Sequence, residues 1–141
     1  MTRRPLTAIV VATALLGTGC SSGDITAPSL QASVGSAYQR LYLLQQQELG
    51  HQVSPRPDST AHCSRSGSTA HSGPGSWTCT VHFPYPDGHI VPLTFDVEVQ
   101  PIGCYSASGP PAVVGQLELN TPSGSKVTNP LYAFDGCFDA G

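Results

Sequence analysis

The chain has 141 residues, of which 39% are hydrophobic and 11% charged, with a formal net charge of −3. Six Lys and Arg stand against nine Asp and Glu, the wrong balance for neutralising a phosphate backbone, which needs clustered cations; no nucleic-acid partner is expected. One domain is the expected count at this length.

The N-terminus, "MTRRPLTAIVVATALLGTGC", places Arg3 and Arg4 before an apolar run from Leu6 to Leu16, followed by Gly17, Thr18, Gly19 and Cys20. This is the order of a secretory signal segment. The run has 11 residues, about half of what a membrane-spanning helix needs, and no second long apolar run follows. An integral membrane protein is therefore not expected.

The stretch "LLGTGCSSGD" resembles the processing box of bacterial lipoproteins, in which this cysteine is lipidated and becomes the first residue. The resemblance implies a signal peptide over 1–19, lipidation (a palmitate-type acyl anchor) at Cys20, and an extracytoplasmic protein held to the cell membrane. Each acyl methylene buried in the bilayer contributes about 0.8 kcal/mol. Gly17 stands three places before the cysteine, where an aliphatic residue is usual, and Leu16 is one place earlier. Free secretion after an ordinary signal peptide is thus the alternative. Removing 1–19 leaves 122 residues, with four Lys and Arg against nine Asp and Glu, a formal charge of −5. That charge offers no polybasic membrane contact.

Residues 20–32, small, polar and Pro-containing, read as a flexible tether, with a single globular domain over 33–141. Val34, Ala37, Tyr38, Leu41, Leu44 and Leu49 recur at helical spacing. Ser36 and Gln39 form an S-x-x-Q capping box, and Gly50 stands where a helix stops. The spacing predicts one amphipathic helix over about 36–49, its apolar stripe covered by a sheet. Residues 51–75 show turn residues without periodicity and read as one long loop.

Strand patterns follow. In "SWTCTVHF", Trp77, Cys79, Val81 and Phe83 share one face, and Thr78, Thr80 and His82 the other. Asp87-Gly88 centres a turn. Leu93, Phe95, Val97 and Val99 then alternate with Thr94, Asp96 and Glu98, and Pro92 belongs at a strand start or an edge. "VVGQLELN", with Val113, Leu117 and Leu119, predicts a further strand, and "KVTNPLYAF" a last, less regular one broken by Pro130. The expected class is α+β, one N-terminal helix on a roughly four-stranded antiparallel sheet; a small β-sandwich is the alternative.

Four cysteines remain after Cys20: Cys63, Cys79, Cys104 and Cys137. An even set in an exported chain predicts two disulfides. Three pairings are possible. Cys63–Cys79, closing a short loop, and Cys104–Cys137, tying the chain end to the domain middle, are favoured. Zinc is the competing use, but no close C-x-x-C pair is present. The layout and the contexts "WTC", "GCY" and "DGCF" resemble small exported actinobacterial lipoproteins, and more loosely cystatin-like and beta-lactamase-inhibitor-like sheets. None of these carries catalytic residues over.

Catalytic spacing is sparse. There is no G-x-S-x-G elbow; Ser66 or Ser76 near His71 is a conceivable pair, of the kind that loops rich in Ser and His produce by chance. His62, His71, His82 and His89 fall within 28 residues and are weak candidate ligands for zinc or copper, without H-x-H or H-E-x-x-H spacing. Asp96, Glu98 and Glu118 sharing a sheet face would hint at a weak cation site, with solvated strand carboxylates the commoner explanation. "SGPGS" and "ASGPP" lack phosphate-loop spacing, and no cofactor is implied. The rigid "FPYP" segment and its turn offer a candidate partner surface of Phe83, Tyr85, Asp87 and His89. The expected function is a non-catalytic binding or structural role at the cell envelope, with an envelope protein, a cell-wall component or a small ligand as partner and the oligomeric state open. The alternative is a metal-binding or hydrolytic protein using the His-rich 51–89 region.

Overall fold

The computed structural model describes residues 25–54, 56–85 and 87–137. The expectations placed on the signal segment and Cys20 lie outside these residues.

The helix starts earlier than the periodicity predicts. α1 spans Ala27–Glu48. Thr26 is its N-cap: its hydroxyl accepts the Ser29 N–H at 3.3 Å, and Ser29 Oγ accepts the Thr26 N–H at 3.0 Å. This reciprocal pair satisfies two backbone donors that a helix start otherwise leaves open, and a proline fits the first turn because its missing N–H has no helical partner there. Ser36, the expected cap, lies inside the helix, where its hydroxyl donates to the Ser33 carbonyl at 3.1 Å. Leu30, Val34, Ala37, Tyr38 and Tyr42 form the buried stripe. Part of the expected tether is thus helix, and the folded unit includes residues 25–32. Gly50, at φ +76°, stops the helix as expected.

The strands are β1 (Thr60–Arg65), β2 (Gly75–Pro84), β3 (Ile90–Val99), β4 (Cys104–Ser108), β5 (Glu118–Asn120), β6 (Lys126–Thr128) and β7 (Ala133–Cys137), with a short helix α2 (Pro111–Val114) between β4 and β5. β1-β2-β3-β4-β7 form one antiparallel sheet, and β5-β6 a separate hairpin. The class is α+β, with α1 packed on one face of a five-stranded sheet. The alternation in β2 and β3 holds residue by residue: Trp77, Cys79, Val81, Phe83, Leu93, Phe95, Val97 and Val99 are buried under α1.

Four segments differ from expectation; one of them, "KVTNPLYAF", divides into β6 and the start of β7, which lie in different sheets. Residues 51–75, expected as one long loop, contain the edge strand β1, whose single fully inward residue is Cys63. The strand expected over "VVGQLELN" is interrupted by Gly115, whose φ of +94° turns the chain from α2 into β5. β4 was not anticipated, because its inward residues are Tyr105 and Ala107 among serines. Pro92 lies within β3, yet β4 pairs only with Asp96–Val99, so its missing N–H removes no bond on that side.

Cys63 is bonded to Cys79 and Cys104 to Cys137. Both are direct cross-strand partners, Cα atoms 4.1 and 3.9 Å apart. Each bond ties an edge strand to its inner neighbour. The first is buried under α1 and the second lies on the open face. Away from the sheet, fully buried Asn129 joins α1 to the 114–131 segment. Its amide donates to the Val114 and Gln116 carbonyls, at 2.8 and 3.0 Å, and accepts from the Gln45 amide at 2.8 Å and the Leu131 N–H at 3.0 Å.

Candidate functional site

Because α1 covers one face of the five-stranded sheet, the outward residues of β1, β2, β3, β4 and β7 converge on the other. Two cross-strand rows define its middle: Ser64, Thr78, Asp96, Ser108 and Ala133, then Ser76, Glu98, Ser106 and Asp135. Neighbouring strands stand about 4.8 Å apart, so hydroxyls and carboxylates recur at that interval. The rows line an open depression of about 530 Å³ that includes Ser76, Asp96, Glu98, Ser106, Ser108 and Asp135. Ser76 Oγ donates to Glu98 Oε2 at 2.7 Å. Farther along, the Thr80 and Thr94 hydroxyls meet at 3.3 Å. Arg65 is turned to the 72–74 turn, donating to the Ser72 and Pro74 carbonyls at 2.9 and 2.6 Å.

The expected acidic trio is rearranged. Asp96 and Glu98 are on this face, but Glu118 lies on the separate β5–β6 hairpin, where it accepts from Lys126 Nζ at 2.8 Å. Asp135 of β7 takes its place. Sequence reasoning missed Asp135, Ser106 and Ser108 because β4 and β7 hold small residues; the alternation in "CYSAS" and "AFDGC" was the available signal.

The hairpin tip also departs from expectation. Phe83 is fully buried and cannot serve as a surface anchor. Its ring packs 4.3 Å from Tyr42, 5.2 Å from Tyr38 and 5.5 Å from Tyr85, centroid to centroid. Tyr85 is half-buried, leaving Asp87, His89 and Ile90 exposed. The Asp87 carboxylate accepts the His89 N–H at 3.1 Å and lies 2.9 Å from His89 Nδ1. Their mutual side-chain hydrogen bond holds Asp87 below the usual carboxylate range and raises His89 above the usual imidazole value. A second open groove of about 520 Å³ lies between the C-terminal end of α1 and the end of β2, lined in part by Gln46, His51, Pro84 and Tyr85.

The other histidines are dispersed. His62 and His82 point outward from β1 and β2. The His71 carbonyl accepts the Ala27 N–H at 3.0 Å. Among the described residues, no group of three or more His, Cys, Asp or Glu side chains is placed to hold a metal. Ser66 and Ser76 bond to Thr78 and Glu98 rather than to His71. The open face can donate and accept hydrogen bonds over a broad area, and its carboxylates can receive amines. The chain matches no protein-family model, no curated protein and no solved structure.

Proposed function

We propose that this is an exported envelope lipoprotein, anchored through Cys20, that binds a polyhydroxylated or amine-bearing cell-wall component on the open face of its sheet without transforming it. The observation that carries the binding reading is the two cross-strand rows of hydroxyls and carboxylates on the face that, among the described residues, no element covers. Such rows exchange hydrogen bonds with a ligand of repeating polar groups, and specificity follows from leaving a buried partner unmatched. The signal-like segment ending in "GTGC" supports export and anchoring, and the two disulfides suit an oxidising compartment.

Cosedimentation with purified insoluble cell-wall polymer tests the binding. The wild-type chain is expected in the pellet, and the Asp96→Ala/Asp135→Ala double variant in the supernatant. A wild-type chain that stays soluble, or a double variant that pellets equally, removes this reading. Intact mass of the wild type against Cys20→Ser tests the anchor separately.

A further inference from the structure

The chain is fastened to the fold almost from the point where the described residues begin. Ile25 is buried, and its carbonyl accepts the Gly73 N–H at 2.8 Å. Thr26 bridges to Ser72, and the Ala27 N–H donates to His71 at 3.0 Å. Only residues 21–24 separate Cys20 from this fastening. Five Cα steps span at most about 18 Å. The 10-residue strand β2 is itself about 33 Å long. A lipid on Cys20 therefore restrains one particular end of the domain, close to the bilayer.

The register identifies what surrounds that end. Gly75 is the Cα partner of Val99, so the 72–75 turn beside Ile25 lies next to the turn that follows β3. That turn is closed by Gln100 N–H to the Cys104 carbonyl at 2.8 Å and Gly103 N–H to the Gln100 carbonyl at 3.0 Å. It presents Ile102, which at 73% exposure exceeds the other exposed large hydrophobics among the described residues. Gln100, Pro101, Ile102 and Gly103 are all uncharged, so the turn brings no carboxylate of its own to a lipid surface. Ile90, 63% exposed, stands at the opposite end, on the β2–β3 hairpin.

An isolated exposed isoleucine is ordinary on a freely diffusing domain. Where a covalent leash holds Ile25 within about 18 Å of a bilayer, an exposed isoleucine at the same end of the domain faces an apolar phase. We infer that the domain stands on the bilayer on the end formed by the α1 N-terminus and the β3–β4 turn, with Ile102 seated among the lipid headgroups and the β2–β3 hairpin tip pointing away. The inference rests on the lipid at Cys20, and the partner is the phospholipid surface itself.

The test uses the full lipidated chain in phosphatidylcholine vesicles carrying nitroxide-labelled lipid. Ile102→Trp and Ile90→Trp each add one exposed tryptophan to the buried Trp77, which serves as the common baseline. Quenching of the added emission is expected to be at least about threefold stronger at 102 than at 90. In parallel, hydrogen exchange of the unmodified protein is expected to slow at 100–103 on vesicle binding and to stay unchanged at 87–90. Equal or reversed quenching, or equal exchange changes at the two turns, overturns the orientation while leaving the anchor intact. A wild-type chain that fails to float with the vesicles overturns the anchor, and the orientation with it.

Discussion

Gly136 lies directly opposite Tyr105 across β4 and β7, and its missing side chain is the space that the tyrosine ring occupies. A Cβ there would stand 2.5 Å from Tyr105 Cζ. The ring passes over the glycine and places its hydroxyl 3.0 Å from Ser33 Oγ on α1. One edge glycine thus lets a sheet residue bond to the helix. Gly136→Ala is expected to destabilise the fold by about 1–3 kcal/mol, the cost of overpacking a filled site. Thermal melts of the two proteins check this; an unchanged Tm would show that Tyr105 can move aside.

Burial raises the phenol pKa of Tyr38, Tyr42 and Tyr105 above its ordinary value, in Tyr105 against an opposing hydrogen bond from Ser33. A raised folded-state pKa gives stability that is complete below the unfolded value of about 10 and is lost as pH rises through the folded value. Tyrosinate absorbance is therefore expected to show a late phase that coincides with loss of the far-UV circular dichroism signal. Ionisation of all five tyrosines with the fold intact would contradict the packing described for these rings.

The Asp87–His89 pair is fully exposed and acts locally. Asp87 is lowered, so its share of the pairing is present above the ordinary carboxylate value of about 4 and lost as pH falls through the folded value. His89 is raised, so its share is present below about 6.5 and lost as pH rises through its folded value. The tip is expected to be best ordered between these limits. In Asp87→Asn, the NMR titration midpoint of His89 should move down; a midpoint that does not change would mean the pair does not form in solution.

The Asn129 side chain makes four hydrogen bonds from a fully buried position. Asn129→Ala leaves the Val114 and Gln116 carbonyls and the Leu131 N–H without this partner. The expected loss is about 2–4 kcal/mol, from several stranded groups at once, read from urea unfolding. Asn129→Asp should not rescue it, because a carboxylate cannot donate to the two carbonyls.

The two disulfides should open in order under graded dithiol. Cys137 is exposed and Cys104 half-buried, whereas Cys63 and Cys79 are buried beneath α1. Access governs thiol attack, so Cys104 and Cys137 are expected to be alkylated first, as peptide mapping would report. Earlier labelling of Cys63 would mean that α1 lifts from the sheet under these conditions. Closing separations of 16 and 33 residues, the bonds contribute about 3 and about 4 kcal/mol by loop-closure entropy.

The parts of the fold that were legible are those in which burial alternates with large side chains. β2 and β3 carry Trp77, Phe83, Leu93 and Phe95 at period two, and nothing local competes with that pattern. β1 was illegible because an edge strand needs only one buried residue, and Cys63 served equally well as a loop staple. The first turns of α1 were obscured by Thr26, Pro28 and Ser29, the same residue types that build a tether but which here build a cap. Gly35, inside that helix, also reads as a breaker, yet it is buried in the helix interior, with Ser59 O at an ordinary contact distance of 3.5 Å from where a Cβ would be. Half of the candidate face was legible through Asp96 and Glu98. Asp135 was not, because proximity to them is set by the β4–β7 pairing, a long-range fact with no local trace. Phe83 was ambiguous by position alone: a residue at the end of a strand is buried only if a helix reaches that far, and Tyr42 does.

Each disulfide joins a cysteine to the next one along the chain. If the chain is exported N-terminus first with Cys20 capped by lipid, as proposed, order of arrival becomes a proofreading rule. Cys79 would then meet Cys63 before Cys104 emerges, and Cys137 would find a single free thiol waiting. Oxidation in step with such export would yield the native set with no bond to reshuffle. The same four cysteines refolded whole from the reduced state have three pairings to choose among, and it is there that an isomerase would speed recovery.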